Sequence, residues 1–251
     1  MHTAWINKVS PMAADLFFSQ ALLDFSGHYS RPTFGLTRPY LEHQVASDLF
    51  GQYDDRPFLF RSDLAQGATG TLLVLSTEAP RLPKPDSSTF GLVSDLRTTT
   101  YPTHFQAGTT LDFELRLNAT VDIPLVPGKR SKRIDIWEHA RRLDSAGSSI
   151  DAVYGDYLKR RLTHGTQLLT AKVTERSFLK VGRRGKGGAP ISFVATNVIG
   201  TLRVTDPPKF SDLLASGVGR AKGFGCGMLC LSAPGTVLPR RHPAMRLVRD
   251  P

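Results

Sequence analysis

A tyrosine and a histidine, Tyr40 and His43, are the side chains best spaced for chemistry in this sequence of 251 residues. They lie three residues apart, so on a helix they share one face. The sequence predicts such a helix from Arg38, with Thr37 available as its cap and Pro39 in the first turn, where a missing N–H costs little. Near a helix N-terminus the backbone dipole favours an incoming phosphate. We therefore interpret the pair as a candidate site for chemistry on a phosphate group.

The alternative is that His43 is an ordinary surface histidine without a function. Apolar residues recur at i, i+4 and i+8 over Leu41–Leu49 and mark the face of the helix that packs on a sheet. Relative to this stripe, Tyr40 and His43 are expected on the opposite, exposed side. The remaining histidines of the sequence have no comparable partner at helical spacing, and the closest competitor is His28, which Tyr29 follows in a loop.

A glycine-rich, basic stretch over Gly217–Leu231 is the second feature that could bind a ligand or take part in chemistry, and its sequence is GVGRAKGFGCGMLCL. Glycine lets a ligand approach the backbone closely, and the cations Arg220 and Lys222 indicate that the ligand is an anion. A dinucleotide site needs a strand before the glycines and a helix after them, whereas here a helix is predicted before and a strand after. A Walker motif is excluded because Gly223 follows Lys222.

The overall charge also favours a polyanionic partner. The net charge is +10 and the isoelectric point is near 9.9, and many lysines and arginines favour binding to a phosphate backbone. The alternatives on charge alone are general solubility or contact with an acidic membrane. No apolar run approaches the roughly 18 residues that span a bilayer, and the N-terminus lacks a signal-peptide layout. We expect a cytoplasmic protein, with no membrane partner.

The spacing of the metal-binding and redox-active residue types gives no sign of a cofactor. Cys226 and Cys230 are the only cysteines, with neither CxxC spacing nor nearby histidines. Both are interpreted as small core residues. The sequence therefore predicts neither a metal nor an organic cofactor.

Three basic clusters in the second half of the chain predict a phosphate-contacting surface. The predicted nucleic-acid-binding residues are Lys129, Arg130, Lys132 and Arg133 before a helix through Trp137; Arg183, Arg184 and Lys186 at a hairpin tip; and Gly217, Gly219, Arg220, Lys222 and Gly225 in the glycine-rich stretch. Any one such run is commonly only a solvated surface. Structured RNA is read mainly by shape and phosphate contact, which a slim basic hairpin can supply.

The elements that must position these residues follow one order twice. Strand, helix, hairpin, helix and strand succeed one another from Asp15 to Tyr101 and again from Leu111 to Leu231. In the first copy the second helix is predicted over Asp86–Leu96. This order is the ferredoxin-like pattern, so the fold class is α+β: two tandem ferredoxin-like (RRM-like) domains with antiparallel sheets.

The predicted organisation has four parts. They are an N-terminal extension (1–14), a first ferredoxin-like domain (15–104), a second with the basic hairpin and glycine-rich stretch (105–232), and a basic tail (233–251). The aromatic signature with which RNA-recognition modules stack bases is not visible on the central strands. An RNA-binding role would therefore not use the standard single-strand mode.

Several motifs together resemble one known family, the CasE family of repeat-processing endoribonucleases of the type I-E CRISPR system. Gly217–Leu231 closely matches its C-terminal signature G-[IV]-G-x-[AG]-K-x-x-G-x-G-L-L-x-L, with Met228 in place of a leucine. Leu111–Asn118 is similar to its F-x-L-R-A-N strand, and Phe193–Val204 to its F-x-G-x-L-x-V strand. Pro39–Gln44 is similar to its Y-x-x-H segment.

The resemblance implies a metal-independent endoribonuclease that cleaves precursor CRISPR RNA at the 3′ base of each repeat hairpin. His43 is then the catalytic histidine and Tyr40 its partner, while the Arg183/Arg184/Lys186 tip contacts the RNA stem. The RNA 2′-OH is the nucleophile, giving a 2′,3′-cyclic phosphate or a 3′-phosphate and a 5′-hydroxyl. Which of His43 and Tyr40 is acid and which is base stays open.

The implied partners are the CRISPR repeat RNA hairpin, the mature crRNA and other Cascade subunits, first of all the backbone subunit. In this interpretation the glycine-rich stretch identifies the family, and the chemistry lies elsewhere, on the first-domain helix. Two alternatives share the charge and the fold. One is a non-cleaving RNA-hairpin-binding subunit of a ribonucleoprotein complex, and the other is a structural subunit that only bridges proteins.

Overall fold

Two four-stranded antiparallel sheets form the framework of the protein. We describe it from a computed structural model that covers residues 16–26, 37–51, 53–64, 69–87, 89–101, 103–124, 131–143, 147–182 and 191–235. The elements in chain order are β1 (Leu16–Asp24), α1 (Arg38–Asp48), β2 (Phe58–Leu64), β3 (Thr69–Ser76), β4 (Val93–Tyr101), β5 (Thr110–Leu117), β6 (Thr120–Ile123), β7 (Lys132–Asp135), α2 (Ile136–Arg142), α3 (Ile150–Arg161), β8 (Thr166–Val181), β9 (Ile191–Val204), α4 (Pro207–Ser216), a 3₁₀ turn (Lys222–Phe224) and β10 (Leu229–Ser232).

The two sheets repeat the same strand order, which confirms the predicted fold class. The first sheet is ordered β2-β3-β1-β4 and the second β10-β5-β9-β8. In both, the first and third strands of the repeat lie in the centre, and all pairs are antiparallel. This is the ferredoxin-like arrangement. The boundary at residues 104 and 105 stays a prediction.

One helix covers the first sheet. Helix α1 begins at Arg38, as predicted, and buries Leu41, Val45 and Leu49 against the sheet together with Phe60 and other apolar side chains. The stripe at i, i+4 and i+8 is therefore confirmed as the packed face.

The predicted helix over Asp86–Leu96 is wrong. Turns occupy the segment up to Leu92, and β4 begins at Val93. Its C-terminal part instead pairs with β1, where Leu22 lies opposite Ser94 and Leu23 opposite Val93. The Asp48 carboxylate at the end of α1 accepts hydrogen bonds from the hydroxyls of Ser87 at 2.6 Å and Thr89 at 2.7 Å. These bonds fix the segment as a loop against the helix.

The second sheet carries two helices and an insertion. The predicted helices are confirmed as α3 and α4, and both contribute to the core around Tyr154, Phe210 and Phe113. Between β5 and α3 the chain adds the short ribbon β6–β7 and helix α2. The helix predicted through Trp137 after the basic run is confirmed as α2, and Lys132 and Arg133 of that run begin β7. No helix within the described ranges is long and apolar enough to cross a membrane.

One of the two apolar clusters in the described residues spans both sheets. Leu16, Leu59 and Leu75 of the first sheet belong to the same buried cluster as the core of the second. Beside this cluster, the Arg61 guanidinium on β2 donates to the Glu114 carboxylate on β5 at 2.6 Å. Only 6% of Arg61 is exposed, so a largely buried ion pair also joins the sheets.

Candidate active site between helix α1 and the glycine-rich loop

Helix α1 is positioned from both halves of the chain. Thr37 is the N-cap residue, as predicted, but its hydroxyl makes no capping bond within the helix. Instead, its Oγ1 accepts a hydrogen bond from the backbone N–H of Gly182 at 3.0 Å. Gly182 directly follows β8, at the base of the predicted basic hairpin tip. The N-terminus of α1 therefore lies beside the C-terminal end of β8.

His43 faces the second half of the chain and not open solvent. The centroid of its ring lies 5.7 Å from that of Phe224, in the 3₁₀ turn, and 6.3 Å from that of Tyr40. Phe224 lies 5.9 Å from Phe193 of β9. The histidine is half-buried, so the expectation of a fully exposed side is corrected: the glycine-rich loop covers part of the imidazole.

The surroundings of His43 favour the neutral imidazole. Burial lowers the pKa of His43 below its ordinary value of 6.5, and the positive charge of Arg56 lowers it further. A hydrogen bond with the Gly223 backbone acts in the opposite direction and raises the pKa. The Nδ1 atom is buried and has no hydrogen-bond partner among the described residues. A neutral imidazole has one nitrogen without hydrogen, and that nitrogen can accept a proton.

Arg56, just before β2, is a site residue that the sequence did not reveal. A Cβ placed on Gly223 would lie 2.9 Å from Arg56 Nη1 and 3.8 Å from His43 Nδ1, so both side chains adjoin the same point of the loop. Arg56 is exposed and forms no ion pair with any described residue. The only signal in the sequence is one arginine after two aspartates, Asp54 and Asp55, which gives no indication of this contact.

The glycine-rich loop reaches His43 because its backbone adopts conformations that only glycine adopts easily. Gly217 and Gly227 have φ angles of +69° and +93°, and the Val218 N–H donates to the Gly227 carbonyl between them at 2.8 Å. A Cβ on Gly217 would lie 2.6 Å from Leu59 Cδ1, so the loop packs directly on β2. This closure directs Lys222–Phe224 toward helix α1.

The loop cations lie in two environments. The Lys222 ammonium donates to the Ser216 carbonyl at 2.5 Å, and burial together with Arg56 lowers the pKa of Lys222. Arg220 donates to the Asp122 carboxylate at 3.2 Å, and Arg133 donates to the same carboxylate at 2.9 Å. Asp122 therefore joins two of the three predicted basic clusters.

A family model described as "CRISPR associated protein" matches residues 16–233 of the chain. The chain belongs to this family. A comparison with curated proteins gives no match. The family assignment confirms the CRISPR-associated character that the sequence motifs indicated.

Solved structures share the fold of this CRISPR-associated protein. A structure of the CRISPR endoribonuclease Cse3 bound to a 19-nucleotide RNA matches with a TM-score of 0.64 and 21% identity, over 87% of this chain and 99% of that one. The CRISPR-associated protein Cas6e from Escherichia coli str. K-12 matches with a TM-score of 0.59 and 20% identity, over 86% and 99%. A chain of a CRISPR RNA-guided surveillance complex matches with a TM-score of 0.57 and 17% identity, over 86% and 99%.

The CRISPR-associated protein brings only part of the predicted site together. Tyr40, His43 and Lys222 converge with Arg56, and Arg220 lies on the same loop. Gly219 and Gly225 support the loop at φ angles of +79° and +74°. The predicted Lys129, Arg130, Arg183, Arg184 and Lys186 lie outside the described residues, as do the extension 1–14 and His28. Of the predicted tail, residues 233–235 are described.

Proposed function

We propose that this protein is a metal-independent endoribonuclease that cleaves precursor CRISPR RNA at the 3′ base of the repeat hairpin. The observation that carries the proposal is the position of His43: a half-buried imidazole with an unpartnered Nδ1, between Arg56 and the glycine-rich loop. The group that such a site suits is a phosphodiester, because cations surround a side chain able to move a proton. The fold shared with Cse3 is consistent with this substrate.

The reaction needs no external nucleophile. The 2′-oxygen beside the scissile phosphate attacks phosphorus and loses its proton, the bond to the 5′-oxygen breaks, and that oxygen gains a proton. The products are a 2′,3′-cyclic phosphate, or the 3′-phosphate from its hydrolysis, and a 5′-hydroxyl. Because the pKa of His43 is lowered, its imidazole is neutral at pH 7 and suited to take the 2′-OH proton. Tyr40, on the same helix face, is the candidate for the second proton transfer or for holding the phosphate.

Arg56 and Lys222 are proposed to hold the scissile phosphate. Arg56 Nη1 lies beside the Gly223 backbone that also borders His43, so its guanidinium can donate to a phosphate oxygen placed against the imidazole. The lowered pKa of Lys222 has burial as its first cause and the charge of Arg56 as its second, so the two cations share one electrostatic environment. A dianionic transition state would be stabilised by both.

Single-turnover cleavage of the host's own repeat hairpin RNA in EDTA tests the proposal. Wild-type protein should cut once, at the 3′ base of the hairpin. His43→Ala should lower the rate by roughly 10²–10⁴-fold, the usual contribution of a proton-transfer group, and should still bind the RNA. His104→Ala is the matched control, since His104 is exposed and far from the site in sequence.

The outcomes separate the enzyme from the alternative functions. Cleavage by His43→Ala at the wild-type rate would remove the catalytic assignment. Salt-sensitive hairpin binding without cleavage by the wild type would identify a non-cleaving RNA-binding subunit. Loss of all cutting in EDTA, with recovery on added Mg²⁺, would contradict metal independence.

We further propose that the protein keeps its product, the mature crRNA, as a subunit of a Cascade-type surveillance complex. The support is the shared fold with a chain of a CRISPR RNA-guided surveillance complex. Co-purification with the backbone subunit and crRNA from cells would test it. Release of the hairpin product within one turnover, with no co-purifying subunit, would contradict it.

A further inference from the structure

A cationic pocket lies beside the candidate active site, and of its three cations the proposed cleavage mechanism uses only Lys222. Its volume is about 280 Å³, and its lining residues are Arg161, Leu213, Gly217, Val218, Gly219, Arg220 and Lys222. Three of these are cations, and they come from two elements: the last residue of helix α3 and the glycine-rich loop. No acidic side chain among the described residues lines the pocket.

The three cations differ in how far their charge is already neutralised. Lys222 donates to a neutral carbonyl, that of Ser216. Arg220 donates a hydrogen bond to the Asp122 carboxylate, which neutralises part of its charge. Arg161 is exposed, its guanidinium carbon lies 5.4 Å from the centroid of the Tyr157 ring, and it forms no ion pair with any described residue. The pocket therefore keeps a net positive charge that an anion would neutralise.

The pocket adjoins the candidate active site because two consecutive residues of the glycine-rich loop contact one each. Lys222 lines it, and the following residue, Gly223, is the point of the loop that borders His43 and Arg56. The end of β8 lies at the start of helix α1, because the Gly182 N–H donates a hydrogen bond to Thr37 Oγ1. An RNA strand that passes the end of β8 and His43 would therefore reach Lys222, which lines the pocket together with Arg161.

We propose that this pocket binds a backbone phosphate of the single-stranded RNA 3′ of the cleavage point, with Arg161 as its principal contact. The inference rests on the proposed function, because the cut at the 3′ base leaves the stem upstream and the unpaired flank downstream. The ligand class is a single-stranded RNA phosphodiester. The pocket would then recognise the part of the substrate that leaves as the downstream fragment.

The test compares two RNAs that cannot be cut because the nucleotide at the cleavage point carries 2′-deoxyribose. One is the repeat hairpin with four further nucleotides on its 3′ side, and the other ends at the cleavage point. Equilibrium binding is measured over a range of salt concentrations for wild type, Arg161→Ala and Arg160→Ala. Arg160 is the matched control: it is exposed on the same helix and does not line the pocket.

On the flanked RNA, Arg161→Ala should weaken binding about three- to tenfold and reduce the salt slope by about 0.7, the value for one phosphate contact on a single strand. On the trimmed RNA, the affinity and salt slope of Arg161→Ala should equal those of wild type. Arg160→Ala should match wild type on both. Arg161→Ala should unfold at most about 4 °C below Arg160→Ala, since it additionally loses only the contact with the Tyr157 ring.

Two results would overturn the inference while the proposed function stands. One is an Arg161→Ala variant that binds the flanked RNA with the wild-type slope. The other is an equal loss on both RNAs, which would place the stem at Arg161. Failure of the proposed function looks different: wild-type protein would then leave the cleavable hairpin uncut, whatever the affinities of Arg161→Ala for the two uncleavable RNAs.

Discussion

At the scale of single residues, Arg56 has the most direct influence on the chemistry of His43. Burial is the largest cause of the lowered pKa of His43 and the charge of Arg56 is the second, so Arg56→Gln should raise that pKa part of the way toward its ordinary value. NMR titration of the imidazole Cε1 proton in the free protein would measure the shift. The same variant should lose roughly 10–100-fold in single-turnover cleavage, because a charged contact to the phosphate is removed.

The control for Arg56→Gln is Arg97→Gln. Arg97 is an exposed arginine of β4 that pairs with Asp95 at 3.1 Å. Its removal should change neither the pKa of His43 nor the rate. A His43 pKa that stays the same in Arg56→Gln would contradict the assigned electrostatic contact.

The lowered pKa of His43 also has a consequence for stability. A histidine whose pKa is depressed in the folded protein binds a proton more readily in the unfolded chain. Its contribution to the free energy of unfolding is therefore complete above pH 6.5, the ordinary pKa, and is lost as the pH falls through the folded pKa. In His43→Gln this part of the acid destabilisation should disappear. Urea unfolding at several pH values from roughly 7.5 to 5 would compare the slopes. Parallel slopes in the two proteins would show that the folded pKa of His43 is not lowered.

At the scale of elements, the 3₁₀ turn depends on a glycine for space rather than for an unusual backbone conformation. Gly223 is not among the glycines with positive φ, so alanine fits its backbone. Its Cβ would lie 2.9 Å from Arg56 Nη1, the far end of a flexible side chain. Gly223→Ala should therefore displace Arg56 and lower cleavage by about three- to tenfold, with a stability change within roughly 1 kcal/mol.

The matched variant for the turn is Gly155→Ala. Gly155 is in helix α3 and a Cβ there would meet nothing within 4 Å. It should raise the free energy of unfolding by up to about 1 kcal/mol and leave cleavage unchanged. Single-turnover rates and denaturant unfolding of both variants check this prediction, and wild-type cleavage by Gly223→Ala would contradict it.

The elements that could be predicted from the sequence are those whose local signals and burial agree. Helix α1 follows from Pro39 in its first turn and from the apolar stripe at i, i+4 and i+8, and both are realised. The wrong helix at Asp86–Leu96 shows the limit. There, hydrogen bonds from Ser87 and Thr89 to Asp48, about 40 residues earlier in the chain, decide the conformation. A local sequence pattern cannot indicate a hydrogen-bond partner so far away in the chain.

The candidate site divides in the same way. Tyr40 and His43 were predicted because their spacing is a local property. The contact of His43 with Phe224 and Gly223 joins residues about 180 positions apart, so the local sequence indicates no link between the loop and the chemistry. Arg56 was missed because only the packing of the loop on α1 and β2 gives it a partner. The three-dimensional structure therefore corrects the role of the loop: it forms one wall of the candidate active site.

At the scale of the whole molecule, the site requires both sheets to keep one relative position. His43 belongs to the first half and Gly223 to the second, and the ion pair between Arg61 and Glu114 holds the sheets beside their common core. Breaking a largely buried pair leaves an uncompensated charge. Because Asp63 also pairs with Arg61 at 3.1 Å, the loss is partly compensated.

Glu114→Ala should therefore lower the free energy of unfolding by about 1–3 kcal/mol. It should also slow cleavage, because the loop and helix α1 would no longer hold His43 and the cations in register. Glu138→Ala is the comparison: its carboxylate pairs with Arg142 on the exposed face of α2, and such pairs contribute at most about 0.5 kcal/mol. Glu114→Gln keeps a hydrogen-bond acceptor for Arg61 and should fall between wild type and Glu114→Ala in both measurements. If Glu114→Ala and Glu138→Ala unfold at the same urea concentration and cut at the same rate, the apolar core alone aligns the two sheets, and the ion pair has no part in assembling the site.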